Sequence, residues 1–179
     1  MRLFAAITPP VEVCDHLEAA IDMLGAPRRS RNPWSPRSLW HITLAFYGEV
    51  ADSGELEVNL SRAAAACSPF SLALSGAGTF RHDACWIGVS DPDEVLPNLA
   101  KEVRGDWASP YQHATNRFHL TISRSGRSAG LESAMRALAV YRGPEWTVTN
   151  IELFESELGS GIGGHPRYTR IAQADLRGE

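Results

Sequence analysis

Two histidines in the sequence share one short context, His-x-Thr inside an apolar run. His41-Ile42-Thr43 lies within residues 40–46, and His119-Leu120-Thr121 lies within residues 118–123, 78 positions further along. Side chains alternate between the two faces of a strand, so each histidine shares a face with its threonine while the residue between them points to the core. The pattern is expected by chance about 0.3 times in a chain of this composition. Its repetition predicts one cleft that holds two imidazoles and two hydroxyls.

These residue types are suited to phosphoryl chemistry. Imidazoles exchange protons near neutral pH, and in-line displacement at phosphorus needs a base on one side and an acid on the other, roles that His41 and His119 can share. The hydroxyls of Thr43 and Thr121 can hydrogen-bond the non-bridging oxygens, and Arg124 adds a cation just after the second motif. The residues alone do not decide which histidine is the acid.

A zinc site is the nearest chemical alternative, because histidine is a common zinc ligand. Neither motif has a cysteine or a carboxylate at ligand spacing, and threonine is a poor ligand for zinc. We therefore expect no metal site in the motifs. The glycine-rich segment Gly159–Gly164 lacks a following Lys-Ser/Thr, so it indicates a hairpin and not a phosphate-binding loop.

Several other residues have two interpretations each. The basic cluster Arg28, Arg29 and Arg31, with Trp34 nearby, is either a solvated loop or a guide for the end of a nucleic acid. Core packing is the default for the aromatic residues near the motifs, and base stacking is the alternative. These aromatic residues are Trp34, Phe46, Tyr47 and Phe80. The histidines outside the motifs are expected to be solvated; they are His16, His82, His113 and His165.

The composition bounds the class of protein. The 179 residues are 44% hydrophobic and carry a formal net charge of −4, which predicts one compact domain without a broad basic surface. Contact with a nucleic acid is therefore expected to be local, at an end or at a single phosphate. Three scattered cysteines and the lack of a membrane-length apolar run predict a cytoplasmic protein with reduced thiols. We expect it to be a monomer.

The order of the predicted elements is strand, helix, motif strand, helix, and this order occurs twice. It predicts pseudo-repeats over about 1–80 and 81–179 within one domain. The expected fold class is α+β: a bilobal duplicated fold with two mainly antiparallel sheets flanked by helices around a central groove. Within it we expect a turn at 76–78, a helix over 129–141 stopped by Gly143-Pro144, and one strand over 146–157.

The motifs and their surroundings resemble the two-histidine (2H) phosphoesterase superfamily, specifically its RNA 2′,3′-cyclic phosphodiesterase branch, also called 2′–5′ RNA ligase-like. The resemblance covers nearly the whole chain. It is carried by the two His-x-Thr segments and by the opening, middle and closing strands: 2–7, 40–50, 76–80, 86–89, 118–124, 151–158 and Tyr168. Ser123 and the lead-in 116–118 differ from the commoner forms of the second motif.

The resemblance implies hydrolysis of a terminal 2′,3′-cyclic phosphate to a 2′-phosphomonoester without a metal or nucleotide cofactor. His41 would protonate the leaving 3′ oxygen, His119 would activate the attacking water, and Thr43, Thr121 and Arg124 would hold the phosphate. The implied partners are RNA ends or nucleotides with a 2′,3′-cyclic phosphate. Two alternatives stay open: a non-catalytic binder of RNA ends or nucleotides, and a 2H enzyme acting on another cyclic phosphate or on a 2′–5′ linkage.

Overall fold

The computed structural model describes residues 1–24, 34–80, 84–107, 117–124 and 129–178. The strands in these ranges are β1 Arg2–Ile7, β2 Ile42–Glu49, β3 Phe70–Thr79, β4 Cys85–Ser90, β5 His119–Ser123, β6 Arg142–Val148, β7 Asn150–Glu157 and β8 Arg167–Asp175. The helices are α1 Val11–Met23, α2 Gly54–Ala65, α3 Val95–Arg104 and α4 Ala129–Leu138, with short 3₁₀ turns at Arg37–Leu39 and Ile162–Gly164. The α+β prediction is confirmed.

The strands form one antiparallel sheet in the order β6-β3-β4-β5-β2-β1-β7-β8. The prediction of two separate sheets is wrong, because the two motif strands pair with each other: Ile42 of β2 lies opposite Leu120 of β5. A sequence pattern reports which face of a strand is buried, but not which strand lies beside it. The division into pseudo-repeats at about residue 80 stays a prediction.

The sheet has two halves that meet at the motif strands. The first half contains β1, β2, β7 and β8, and the second contains β3, β4, β5 and β6. Helices α2 and α3 contact strands of the first half, whereas α1 and α4 contact strands of the second. Each half therefore contributes one motif strand to the centre of the sheet.

The hydrophobic core occupies one face of this sheet. Leu3, Ala5 and Ile7 of β1 belong to the core cluster, whereas Phe4 and Ala6, which alternate with them, do not. Two-residue alternation thus separates a core face from a second face. The second face carries the two His-x-Thr motifs, and we call it the groove face.

Three elements differ from expectation. The segment Gly76-Ala77-Gly78 lies inside β3, where a register shift between Leu74 and Ala77 accommodates it. Gly143-Pro144 lies inside β6, which is an edge strand, and there proline does not remove an inner hydrogen bond. The strand expected over 146–157 is two strands, because the chain passes at Thr149 from the second half of the sheet to the first.

Within the described ranges, no helix is long and apolar enough to cross a membrane.

Candidate active site

The two motifs lie side by side at the junction of the halves. Since Ile42 lies opposite Leu120 in an antiparallel pair, continuing the register by one residue places His41 opposite Thr121 and Thr43 opposite His119. Directly opposite residues share a face. The structure therefore brings all four predicted side chains into one block on the groove face, with the two histidines on diagonal corners.

Each imidazole is held in the same way. Nδ1 of His41 lies 2.8 Å from the carbonyl oxygen of Leu39, and Nδ1 of His119 lies 2.9 Å from the carbonyl oxygen of Arg117. A carbonyl oxygen only accepts hydrogen bonds, so Nδ1 carries the proton and donates in both cases. This leaves Nε2 of each ring to take up or release a proton.

Aromatic rings form a wall around each histidine. The ring centroid of His41 lies 4.7 Å from that of Phe4 and 5.3 Å from that of Tyr168. On the other side, the ring of His119 lies 4.9 Å from Phe80 and 6.3 Å from Trp86. These contacts fix the ring planes and exclude water from much of each imidazole.

The surroundings favour the neutral form of both histidines. Burial is the main reason that the pKa of His41 is lowered to about 4, and the positive charges of Arg124 and of a protonated His119 contribute to this shift. Burial, with a contribution from Arg124, also lowers the pKa of His119. At pH 7 both rings of the unliganded protein are therefore neutral, which suits a base. An anion bound between them would raise both pKa values and allow one ring to act as an acid.

The remaining predicted residues lie around the same block. Thr43 and Thr121 are half-buried, and their hydroxyls have no hydrogen-bond partner among the described residues. Arg124 is exposed directly after β5, and its charge lowers the pKa of both histidines and opposes the rise in the pKa of Tyr168 that burial causes. The block thus has two hydroxyl donors and a cation beside the two imidazoles.

Other sequence predictions have different outcomes. Arg28, Arg29 and Arg31 lie outside the described residues, and Trp34 packs against the core. Tyr47 is a core residue whose hydroxyl donates to the carbonyl oxygen of Val103 at 2.8 Å. Of the other two aromatic residues, Phe80 packs on His119, and Phe46 lies with its ring centroid 4.9 Å from Cζ of Arg2.

Sequence reasoning missed Phe4, Tyr168 and Trp86 as neighbours of the histidines. Their strands were recognised, but the strand order that brings them beside the motifs has no local signal.

The guanidinium of Arg117 covers the indole of Trp86 at 5.3 Å, and a cavity of about 490 Å³ lies beside both residues. Among the described residues, no three His, Cys, Asp or Glu side chains lie close enough together to hold a metal ion.

Comparison with known proteins assigns the family. The profile of the 2′-5′ RNA ligase superfamily matches residues 9–160. The chain belongs to this superfamily. The resemblance to two-histidine phosphoesterases is thereby confirmed, and the protein is an enzyme of that family.

Two relatives of this chain are named RNA 2′,3′-cyclic phosphodiesterase. The protein from Aquifex aeolicus strain VF5 is 30% identical over 180 residues, covering 93% of this chain and 91% of its own. The protein from Escherichia coli strain K12 is 31% identical over 178 residues, covering 95% and 93%. The crystal structure of E. coli LigT with 3′-AMP is 27% identical, covers 98% of both chains and has a TM-score of 0.74. LigT has also been solved with NADP⁺ and with ATP.

Proposed function

We propose that this protein hydrolyses the terminal 2′,3′-cyclic phosphate of RNA to a 2′-phosphomonoester, using His41 as the acid and His119 as the base. One observation carries the proposal. Two imidazoles on paired strands each have Nδ1 bound to a backbone carbonyl and Nε2 left to exchange a proton. The names of the two relatives support the substrate, and the nucleotides bound by LigT support the ligand class.

The reaction requires one proton to be taken from the attacking water and one proton to be given to the leaving 3′ oxygen. His119 Nε2 takes a proton from water as the water oxygen bonds to phosphorus, and the bond from phosphorus to the 3′ oxygen breaks on the opposite side. His41 donates its Nε2 proton to that oxygen. The products are a 2′-phosphate and a 3′-hydroxyl, and His41 and His119 return to their starting protonation states through solvent.

The other side chains stabilise the charge that develops on phosphorus. The hydroxyls of Thr43 and Thr121 donate to the non-bridging oxygens, and Arg124 provides a cation beside them. The bound phosphodiester carries one negative charge, which raises the pKa of His41 and favours the proton that the acid must hold. No step in this scheme needs a metal. One chain supplies both histidines, so we expect the monomer to be the functional unit. We also expect the protein to act in the cytoplasm.

Product analysis tests the proposal. Incubation of 2′,3′-cyclic AMP with the purified protein in EDTA, followed by phosphorus NMR, is expected to convert the cyclic-phosphate resonance to that of 2′-AMP. Formation of 3′-AMP would contradict the assignment of the leaving oxygen. Binding of the nucleotide without turnover would favour the non-catalytic alternative. Turnover only of a 2′–5′ dinucleotide or of a different cyclic phosphate would favour the other enzymatic alternative.

A further inference from the structure

We infer that the groove face of the first half of the sheet binds the nucleotide that precedes the cyclic phosphate, with Arg170 contacting the phosphate that joins the two nucleotides. Glu152 is the positioning residue that holds Arg170. This inference rests on the proposed function. It adds to that function the part of the groove that holds the RNA chain beyond its terminal nucleotide.

The direction of the RNA follows from in-line displacement. The attacking water and the leaving 3′ oxygen lie on opposite sides of phosphorus. If His41 protonates the leaving oxygen, the ribose that keeps this oxygen lies on the His41 side, and water approaches from the His119 side. The rest of the RNA is attached to that ribose through its 5′ oxygen. The chain therefore continues over the half of the sheet that contains β1, β7 and β8.

Arg170 lies on the groove face of this half. It pairs with Phe154 across β7 and β8, and Phe154 stacks on Phe4 at 5.4 Å between ring centroids. Phe4 in turn contacts His41. Tyr168, which also contacts His41, lies two residues before Arg170 on the same strand, a distance of about 7 Å. This places Arg170 within about one nucleotide of the reacting phosphorus.

Glu152 is a buried carboxylate, with 5% of its surface exposed. It accepts hydrogen bonds from the hydroxyl of Thr8 and, at 2.7 Å, from Nη1 of Arg170. A buried carboxylate is costly unless it is paired, so this geometry holds the guanidinium in one place. Ala6 lies opposite both Thr43 and Glu152, so Glu152 is two strands, or about 10 Å, from Thr43. The small side chain of Ala6 leaves space on the groove face between Thr43 and Arg170.

The guanidinium of Arg170 keeps donors for a ligand. Its side chain is 55% exposed, and within the described ranges Glu152, bound through Nη1, is its only polar partner. The donors that Glu152 does not use suit the planar geometry of a phosphate. The aromatic rings of Phe154 and Tyr168 beside it are of the kind on which single-stranded bases stack. In a chain of net charge −4, this is a local cationic and aromatic site.

A comparison of two substrates tests the inference. The kcat/KM is measured for 2′,3′-cyclic AMP and for the dinucleotide ApA that ends in a 2′,3′-cyclic phosphate, using wild type, Arg170→Ala, Glu152→Gln and Arg167→Ala. Arg167 is the matched control. It lies on the same strand with similar exposure, pairs with Glu157 and, by alternation, points to the opposite face.

We expect wild type to prefer the dinucleotide. Arg170→Ala should reduce this preference about ten-fold or more, mainly through KM, because a charge-assisted phosphate contact is lost. Glu152→Gln should reduce it less, and Arg167→Ala should leave it unchanged. Equal loss on both substrates in Arg170→Ala, or no dinucleotide preference in wild type, would overturn the subsite alone. No turnover of either substrate by wild type would overturn the proposed function and the subsite with it.

Discussion

At the scale of single residues, the two histidines differ little in how they are held. Each Nδ1 donates to the carbonyl oxygen two residues earlier in the chain, and each ring packs against two aromatic side chains. The pKa of each is lowered, mainly by burial. Their different roles in the proposed reaction therefore depend on where the substrate places its ribose and not on different local chemistry.

These pKa shifts predict that kcat/KM, whose pH dependence reports the free enzyme, is greatest at acidic pH. The pKa near 4 belongs to His41, the proposed acid, and burial also lowers the pKa of His119, the proposed base, from its ordinary value. The reactive form carries one exchangeable proton on the pair, so kcat/KM should rise as the doubly protonated pair loses its first proton and fall as the pair loses its second. We expect a bell-shaped profile of kcat/KM with its maximum between about pH 4 and 6.5, whose two limbs belong to the coupled pair.

The profile of kcat provides the internal control. Bound phosphodiester raises the pKa of the acid, so the profile of kcat at saturating substrate should extend to higher pH than that of kcat/KM. Addition of inorganic phosphate should likewise raise the histidine pKa values followed by NMR. Identical pH profiles for kcat and kcat/KM, with both limbs above pH 7, would contradict the account of a desolvated pair.

At the scale of elements, packing between β3 and β4 supports His119. Gly78 of β3 lies opposite Trp86 of β4, and a Cβ at Gly78 would lie 2.7 Å from Cη2 of the indole and closer still to Cζ2. Trp86 is 7% exposed and contacts the ring of His119. Glycine at this position therefore allows the indole to lie against the strand and support the imidazole.

Gly78→Ala should consequently affect both stability and activity. Overpacking against a buried ring is expected to reduce the free energy of unfolding by about 1–3 kcal/mol, and displacement of Trp86 toward His119 should lower kcat. Urea unfolding and the cyclic-phosphate assay measure the two effects. Gly54→Ala is the control, since a Cβ there meets only Asp52 Oδ1 at 3.4 Å. Unchanged unfolding and unchanged kcat in Gly78→Ala would show that the indole does not support the site.

The sequence was informative about elements and less so about their pairing. The predicted order of strand, helix, motif strand and helix is found in β1, α1, β2 and α2, and again in β4, α3, β5 and α4. Sequence reasoning mistook the glycines of β3 for a turn, because a bulge within a strand and a turn between strands favour the same residue type. It also could not show that β7 and β8 lie beside β1, since those contacts are long-range. For that reason Tyr168 and Arg170 were not recognised as site residues.

At the scale of the whole molecule, the site exists only where the two halves of the sheet meet. His41 and Thr43 come from the first half, and His119 and Thr121 come from the second. The sequence predicted this meeting correctly, because a repeated His-x-Thr is informative without knowledge of strand order. It did not predict that the motif strands are themselves neighbours, which makes the sheet continuous and sets the spacing of the two imidazoles.

The central claim is that both histidines act together on one phosphodiester. The most direct test is the turnover of 2′,3′-cyclic AMP in EDTA by His41→Ala, His119→Ala and the double variant. We expect each single variant to lose about two to four orders of magnitude in kcat, and the double variant to lose little more, because residues that act as a unit are not additive.

His16→Ala is the matched control. His16 lies on α1, where Nδ1 is 2.9 Å from the hydroxyl of Tyr141, a contact that does not involve the groove, and its loss should leave turnover unchanged. Circular dichroism of every variant should show the wild-type fold. Full turnover by either His41→Ala or His119→Ala would contradict the paired acid–base account.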